Sequence, residues 1–165
     1  MSAIRILKHL FTPHWVVNRA FSRRTLKAIE RAIGESEKTH DGEMRFAVEA
    51  GIHLWPLLHG QTARQRAHEV FSGLRVWDTE HNSGVLIYVQ LVDRSIEIVA
   101  DRGINAKVAQ HEWDAICRCM EAAFREKRFE HGALKAIEEI TALLARHFPP
   151  RGAKPNELPD KPVVL

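Results

Sequence analysis

Cysteine is scarce in this 165-residue chain: Cys117 and Cys119 are the only two. Standing two positions apart, they are too close to staple a fold, so an ordinary core must hold it and both thiols are expected to be reduced. Glycine (9) and proline (7) are unexceptional in number, which excludes collagen-like and low-complexity classes. No apolar run approaches the roughly 20 residues that span a bilayer. Met1 to Leu10 lacks the continuous apolar stretch and small-residue cleavage site of a signal peptide, so the expectation is a cytoplasmic protein without a transmembrane segment. Walker A, GxGxxG, HExxH and CxxC patterns are missing, and none of the ten histidines forms a chelating i, i+4 pair.

What is present is a chain with 45% apolar residues, enough for one core, and a lopsided charge. Residues 1–31 hold seven basic side chains (Arg5, Lys8, Arg19, Arg23, Arg24, Lys27, Arg31) against one acid, Glu30. The remainder is mildly acidic, which argues against a nucleic-acid-binding body and leaves an anionic membrane surface or a membrane-protein partner as what residues 1–31 would meet. Ile4, Leu7 and Phe11 fall at helical spacing beside Arg5 and Lys8, as in a short interfacial helix.

Thr12-Pro13 marks the start of a segment containing Trp15, Val16 and Val17. Ser22 caps a helix to about Lys38, with Leu26, Ile29 and Ile33 on its apolar stripe. Met44, Phe46, Val48 and Ala50 alternate with Glu43, Arg45, Ala47 and Glu49 in a first strand. Gly51 to Gly60 reads as loop, and Thr62 with Gln65 forms a capping box that opens the next helix. Gly84 to Val92 is nearly continuous apolar, as expected for a strand covered on both faces. Asp93-Arg94 as a two-residue turn into Ser95 to Ala100 would set Leu91 opposite Ile96, Ile87 opposite Ala100 and Val85 opposite Arg102. One long helix follows around Trp113, Ile116 and Met120, and another around Ile137, Ile140 and Leu144, with Glu126 to His131 and Gly132 as the joint. The fold class is therefore a three-layer α/β/α sandwich about a small mixed sheet with one hairpin. It comprises a basic amphipathic segment over 1–21, an α/β domain over 22–148 and a Pro-rich extended tail over 149–165, whose terminal apolar residues dock on the body or on a partner.

Chemistry is sparse. Cys119 and Arg125 match the spacing of a Cys-based phosphatase loop, but that loop joins a strand to a helix, whereas Cys119 falls within a predicted helix as a buried cysteine. Asp78, Glu80, Asn82 and Asp101 are more suggestive. Antiparallel pairing brings the start of one hairpin strand beside the end of the other, gathering these oxygen donors at one sheet edge as ligands for Ca²⁺ or Mg²⁺, with Arg102 placed to orient an anion. The same residues also suit plain turn caps and a local Asp101–Arg102 pair.

The stretches Ala63-Arg-Gln-Arg-Ala-His-Glu-Val-Phe71, Val76-Trp-Asp-Thr-Glu80, Asn82-Ser-Gly-Val-Leu-Ile-Tyr88, Asp93-Arg94 and Val99-Ala-Asp-Arg-Gly-Ile104 resemble the TPM-domain family, named for thylakoid-lumen, photosystem-repair and receptor-modulator proteins. The resemblance covers about Glu43 to Phe148. It implies an α/β/α sandwich and, for some relatives, acid phosphatase activity or divalent-cation binding. Where the family's hairpin typically starts Asp-Asn-Gly, Asn82-Ser83-Gly84 stands here, and an acidic ligand is lost. Two functions follow as expectations: a phosphatase-like or cation-binding site at the sheet edge, and a non-catalytic assembly or scaffolding module at the cytoplasmic face of a membrane.

Overall fold

The computed structural model describes His9 and residues 15–51, 54–152 and 155–165. The elements run α1 (Trp15–Ala20), α2 (Arg23–Ser36), β1 (Glu43–Glu49), α3 (Leu54–Leu58), α4 (Ala63–Gly73), β2 (Gly84–Gln90), β3 (Ser95–Ala100), α5 (Arg102–Asn105), α6 (Gln110–Arg125), α7 (Phe129–His147) and β4 (Val163–Val164). The sheet order is β3-β2-β1-β4, with β1 parallel to β2 and to β4, and β2 antiparallel to β3. Helices cover both faces, giving the expected α/β sandwich. The interfacial-helix residues Ile4, Leu7 and Phe11, and the Thr12-Pro13 cap, lie outside the described residues.

Local signals placed the helices well. Ser22 Oγ accepts from Thr25 N–H at 3.1 Å, and Thr62 and Gln65 form the reciprocal capping box that starts α4. On one face, Ile29 and Ile33 of α2, Trp113 and Met120 of α6, and Ile140 and Leu144 of α7 pack on Met44, Phe46, Val85 and Ile87. On the other, Ala67, Val70 and Phe71 of α4 meet Ala47, Leu86, Tyr88 and Val99. All seven residues of β2 are consequently buried.

Tertiary contacts overrode local pattern in four places. The hairpin register is shifted by two: Val85 faces Ala100, Ile87 faces Ile98 and Val89 faces Ile96, so the turn comprises Leu91 to Arg94. Leu91 and Val92 are drawn to the other side, where their N–H groups donate to the Glu49 and Ala50 carbonyls at 3.0 and 3.1 Å. An even shift keeps every side chain on its expected face. Within the expected loop 51–60, Leu54–Leu58 form α3, with Leu57 fully buried. α7 starts at Phe129 rather than after Gly132, because Phe129 joins Phe21 and Phe124 in an aromatic cluster at centroid distances of 5.7 and 5.1 Å. Lastly, β1 has no solvent side: all seven of its residues are buried.

That last fact demands partners for three charged side chains. Glu43 accepts from Leu158 N–H at 3.2 Å, and Arg45 donates to the Pro159 carbonyl. Residues 158–165 thus lie along β1, where Val163–Val164 complete the sheet. Glu49, 2% exposed, accepts a two-pronged Arg66 guanidinium at 2.8 and 3.1 Å and the Tyr88 hydroxyl at 2.5 Å. Burial first, then the Glu49 charge, holds the Tyr88 phenol far above its ordinary value. Glu49→Ala, which strands Arg66 and the phenol, is expected to cost about 3–5 kcal/mol. Tyr88→Phe, which removes one charge-assisted bond, is expected to cost about 1.5–3 kcal/mol. Urea denaturation midpoints check both, and equal losses would contradict the central role given to the carboxylate.

Candidate functional site

The sheet edge singled out by sequence is formed by the start of β2 and the end of β3, bridged by two close backbone approaches. A Cβ at Gly84 would stand 1.9 Å from the Val76 carbonyl oxygen, and one at Gly103 would stand 2.6 and 2.7 Å from the Asn82 and His81 carbonyl oxygens. Glycine lets the 76–84 loop close on itself at Gly84 and lie on the β3–α5 corner at Gly103 this tightly.

Within that corner Asp101, Arg102 and Asn82 come together. Asp101 Oδ1 caps α5 by accepting from Arg102 N–H at 2.7 Å, and Arg102 Nε donates to Asn82 Oδ1 at 3.0 Å. Asn82 adopts a left-handed backbone with φ 52, which asparagine tolerates. Asp101 Oδ2 is buried and lacks a hydrogen-bond partner among the described residues. Asp78 and Glu80 do not join them: both are exposed, and Glu80 N–H is taken up by Glu157 Oε2 at 2.8 Å. Among the described residues, no group of three or more His, Cys, Asp or Glu is arranged to hold a metal ion. The corner therefore offers one unsatisfied carboxylate oxygen, beside a guanidinium that already occupies the Asn82 amide oxygen.

The hydroxyls nearby serve structure. Ser83 Oγ donates to the Asp41 carbonyl at 3.1 Å, and Thr79 Oγ1 accepts from Ser83 N–H at 2.9 Å. A buried serine–histidine pair lies elsewhere, with Ser36 Oγ 2.8 Å from His40 Nε2. Proton accounting fixes its direction. Thr141 Oγ1 donates to the Ile137 carbonyl at 2.6 Å, so it must accept from Ser36 Oγ, also 2.6 Å away. Ser36 then accepts from His40 Nε2–H, while His40 Nδ1 lies 3.2 Å from the Gly42 N–H and 3.1 Å from the Gly42 carbonyl oxygen. The histidine is a donor to the serine, the reverse of what an activating base requires.

A feature the sequence undervalued lies at the opposite side. Trp15, grouped by sequence with the apolar Val16 and Val17, is 58% exposed. Arg19, one helical turn on, and Arg23, Arg24, Lys27 and Arg31 of α2 are all exposed, and none forms an ion pair among the described residues. The local excess of base was legible, but the exposure of Trp15 was not. Its i, i+4 relation to Arg19 is the signal that finds it.

The model of the TPM domain matches residues 17–143. The chain belongs to the TPM-domain family. One solved structure similar to it is the NMR structure of the BA42 protein from the psychrophilic bacterium Bizionia argentinensis, with a TM-score of 0.77 and 30% sequence identity, covering 87% of this chain and 94% of that one. Comparison with curated proteins yields no match. Among the described residues of this TPM domain, no helix is long and apolar enough to cross a membrane.

Cys119, expected as a buried cysteine of the TPM domain, is the exposed one. Both cysteines lie on α6 and are free, and Cys117 is the partly buried one. Two residues along a helix is about 200° of rotation, so only one can face the sheet. Burial, reinforced by the Glu97 charge, pushes the Cys117 thiol up to about 12. At pH 8 an aromatic disulfide reagent is expected to titrate one thiol rapidly in the native protein and the second only after denaturation, with Cys119→Ser abolishing the fast phase. Rapid reaction at both thiols would contradict this placement.

Proposed function

We propose that this TPM domain is a non-catalytic assembly module that docks on an anionic membrane face through α1 and α2. The observation that carries the reading is that Arg19 of α1 and Arg23, Arg24, Lys27 and Arg31 of α2 are all exposed and form no ion pair among the described residues, with the exposed Trp15 one helical turn before Arg19. Unpaired cations near an acidic leaflet contribute roughly 1 kcal/mol each. Tryptophan suits the headgroup region, where one end of the ring is wet and the other apolar. The inward residues of this segment, Val17 of α1, Phe21 in the link and Ile29 and Ile33 of α2, are fully buried, so the basic side is free to act without unfolding the domain. Co-sedimentation with vesicles containing an acidic phospholipid is expected, with little binding to neutral vesicles and weakening as salt shortens the Debye length. The triple variant Arg23→Glu, Arg24→Glu, Lys27→Glu is expected to bind at least about tenfold less. Its fold is expected to persist, since two of the new acids fall in the first turn of α2 where the helix dipole favours them. Undiminished vesicle binding by this variant would overturn the reading.

A second reading, a divalent cation at the β2–β3 edge, is supported by one observation: the buried, unpartnered Asp101 Oδ2. Asp101 would supply the charged oxygen, and Asn82 would join it only by giving up Arg102. Titration with Ca²⁺ and Mg²⁺ followed by amide NMR is expected to shift residues 78–84 and 101–103, and the shifts should vanish in Asp101→Asn, which retains a capping oxygen. Identical shifts in that variant would remove Asp101 from the reading.

A further inference from the structure

The carboxyl end of β2, at the opposite end of that strand from the Asp101 corner, opens into a cavity of about 250 Å³ between the β2–β3 hairpin, α1 and the α6–α7 joint. Its wall is apolar: Val16, Ala20, Val89, Ile96, Phe124 and Phe129. Its rim is not. Arg94, Arg125 and Lys127 face Glu121 as the single acid, and all three cations are exposed. Arg125 reaches Glu121 at 3.4 Å, whereas Arg94 and Lys127 form no ion pair among the described residues.

The backbone beneath those two cations is unusual. Arg94 has φ 54 and Lys127 has φ 60, the left-handed region that a side chain disfavours and glycine adopts freely. Each is fixed by a tight turn, Arg94 N–H donating to the Leu91 carbonyl at 3.3 Å and Lys127 N–H to the Phe124 carbonyl at 3.0 Å. The Arg94 turn is braced from within, because the fully buried Gln90 accepts from Asp93 N–H at 2.9 Å. Two separate turns thus present a long cation, where glycine would be easier to accommodate, at the mouth of one apolar cavity.

We infer that this cavity binds an anionic amphiphile: a phosphate or carboxylate head held by Arg94, Arg125 and Lys127, with a short alkyl segment against Phe124, Phe129 and Ile96. The volume falls just below the roughly 300–1,000 Å³ of pockets for drug-sized ligands, which suits a head and a few methylenes rather than a whole chain. α1 lends Val16 and Ala20 to the cavity wall and Trp15 and Arg19 to the exposed surface, so a ligand drawn from an acidic leaflet would enter beside the docking face. In naming a lipid as the source, the inference rests on the membrane reading; the site itself does not.

The test uses the full chain and four soluble probes, hexyl phosphate, hexanoate, hexanol and inorganic phosphate, followed by amide NMR. Hexyl phosphate is expected to shift residues 89–96 and 124–129, and the butyl homologue to bind more weakly by about fourfold per methylene removed. Hexanoate reports whether a carboxylate replaces the phosphate head. The double variant Arg94→Gly, Lys127→Gly is expected to keep its thermal midpoint, since glycine suits both φ values, and to lose at least tenfold in affinity. Equal binding of inorganic phosphate or of hexanol would overturn the inference, as would shifts confined to other surfaces or affinity unchanged in the double variant. Vesicle binding without probe binding would sink the cavity and leave the membrane reading standing. Probe binding without vesicle binding would do the reverse, marking a site for a free amphiphile.

Discussion

One buried carboxylate orders this molecule. Glu49 stands at the end of β1 and is held at once by Arg66 from α4 and by Tyr88 from β2. A carboxylate withdrawn from water must be surrounded by donors, and only one placement of the crossover helix supplies both prongs of a guanidinium. The interaction therefore fixes how α4 lies across the second face of the sheet. That placement brings Ala67, Val70 and Phe71 over Leu86 and Tyr88 and closes the smaller of the two cores. Hydrophobic contact alone would tolerate a range of helix positions there, because small apolar side chains slide over one another at little cost. The ion cluster does not slide.

The two ends of β2 then acquire opposite characters. At its start, glycines let backbone press on backbone, and Arg102 and Asn82 spend their polar atoms on each other. At its finish Leu91 and Val92 follow β1 while the chain turns back into β3, and the wedge bounded by the hairpin, α1 and the α6–α7 joint is left partly unfilled. Space and positive charge coincide at this end because the turns that make the wedge also carry Arg94 and Lys127. A tight corner suits mechanical closure, whereas a wedge with a cationic mouth suits a guest.

Much of the fold was readable because its signals are local. Ser22, Thr62 and Gln65 announce helix starts, and the apolar run of β2 announces burial on both sides. What escaped depended on distant partners. The alternation in β1 describes an exposed face, yet Glu43, Arg45 and Glu49 are covered by residues 17 to 115 positions away. The hairpin register turned on a competition between β1 and β3 for Leu91, and pairwise pattern within the hairpin carries no trace of it. Of the expected site, Asn82, Asp101 and Arg102 were rightly placed together because antiparallel pairing dictates it. Asp78 and Glu80 belong to an irregular loop with no periodicity to read, and the left-handed backbone of Arg94 and Lys127 leaves no mark in residue type.

The strand at the carboxyl side has a temporal consequence. Glu43 and Arg45 find Leu158 and Pro159 across separations of 115 and 114 residues, so loop closure on that scale must precede their satisfaction. During synthesis β1 can meet β2 and β3 while its outer edge still lacks its last neighbour. Until residues 158–165 emerge, that edge presents unpaired backbone and half-satisfied charges, which invite pairing with a second nascent chain. Val163 and Val164 therefore act as a late cover for the outer edge of β1, which stays open to pairing until they arrive.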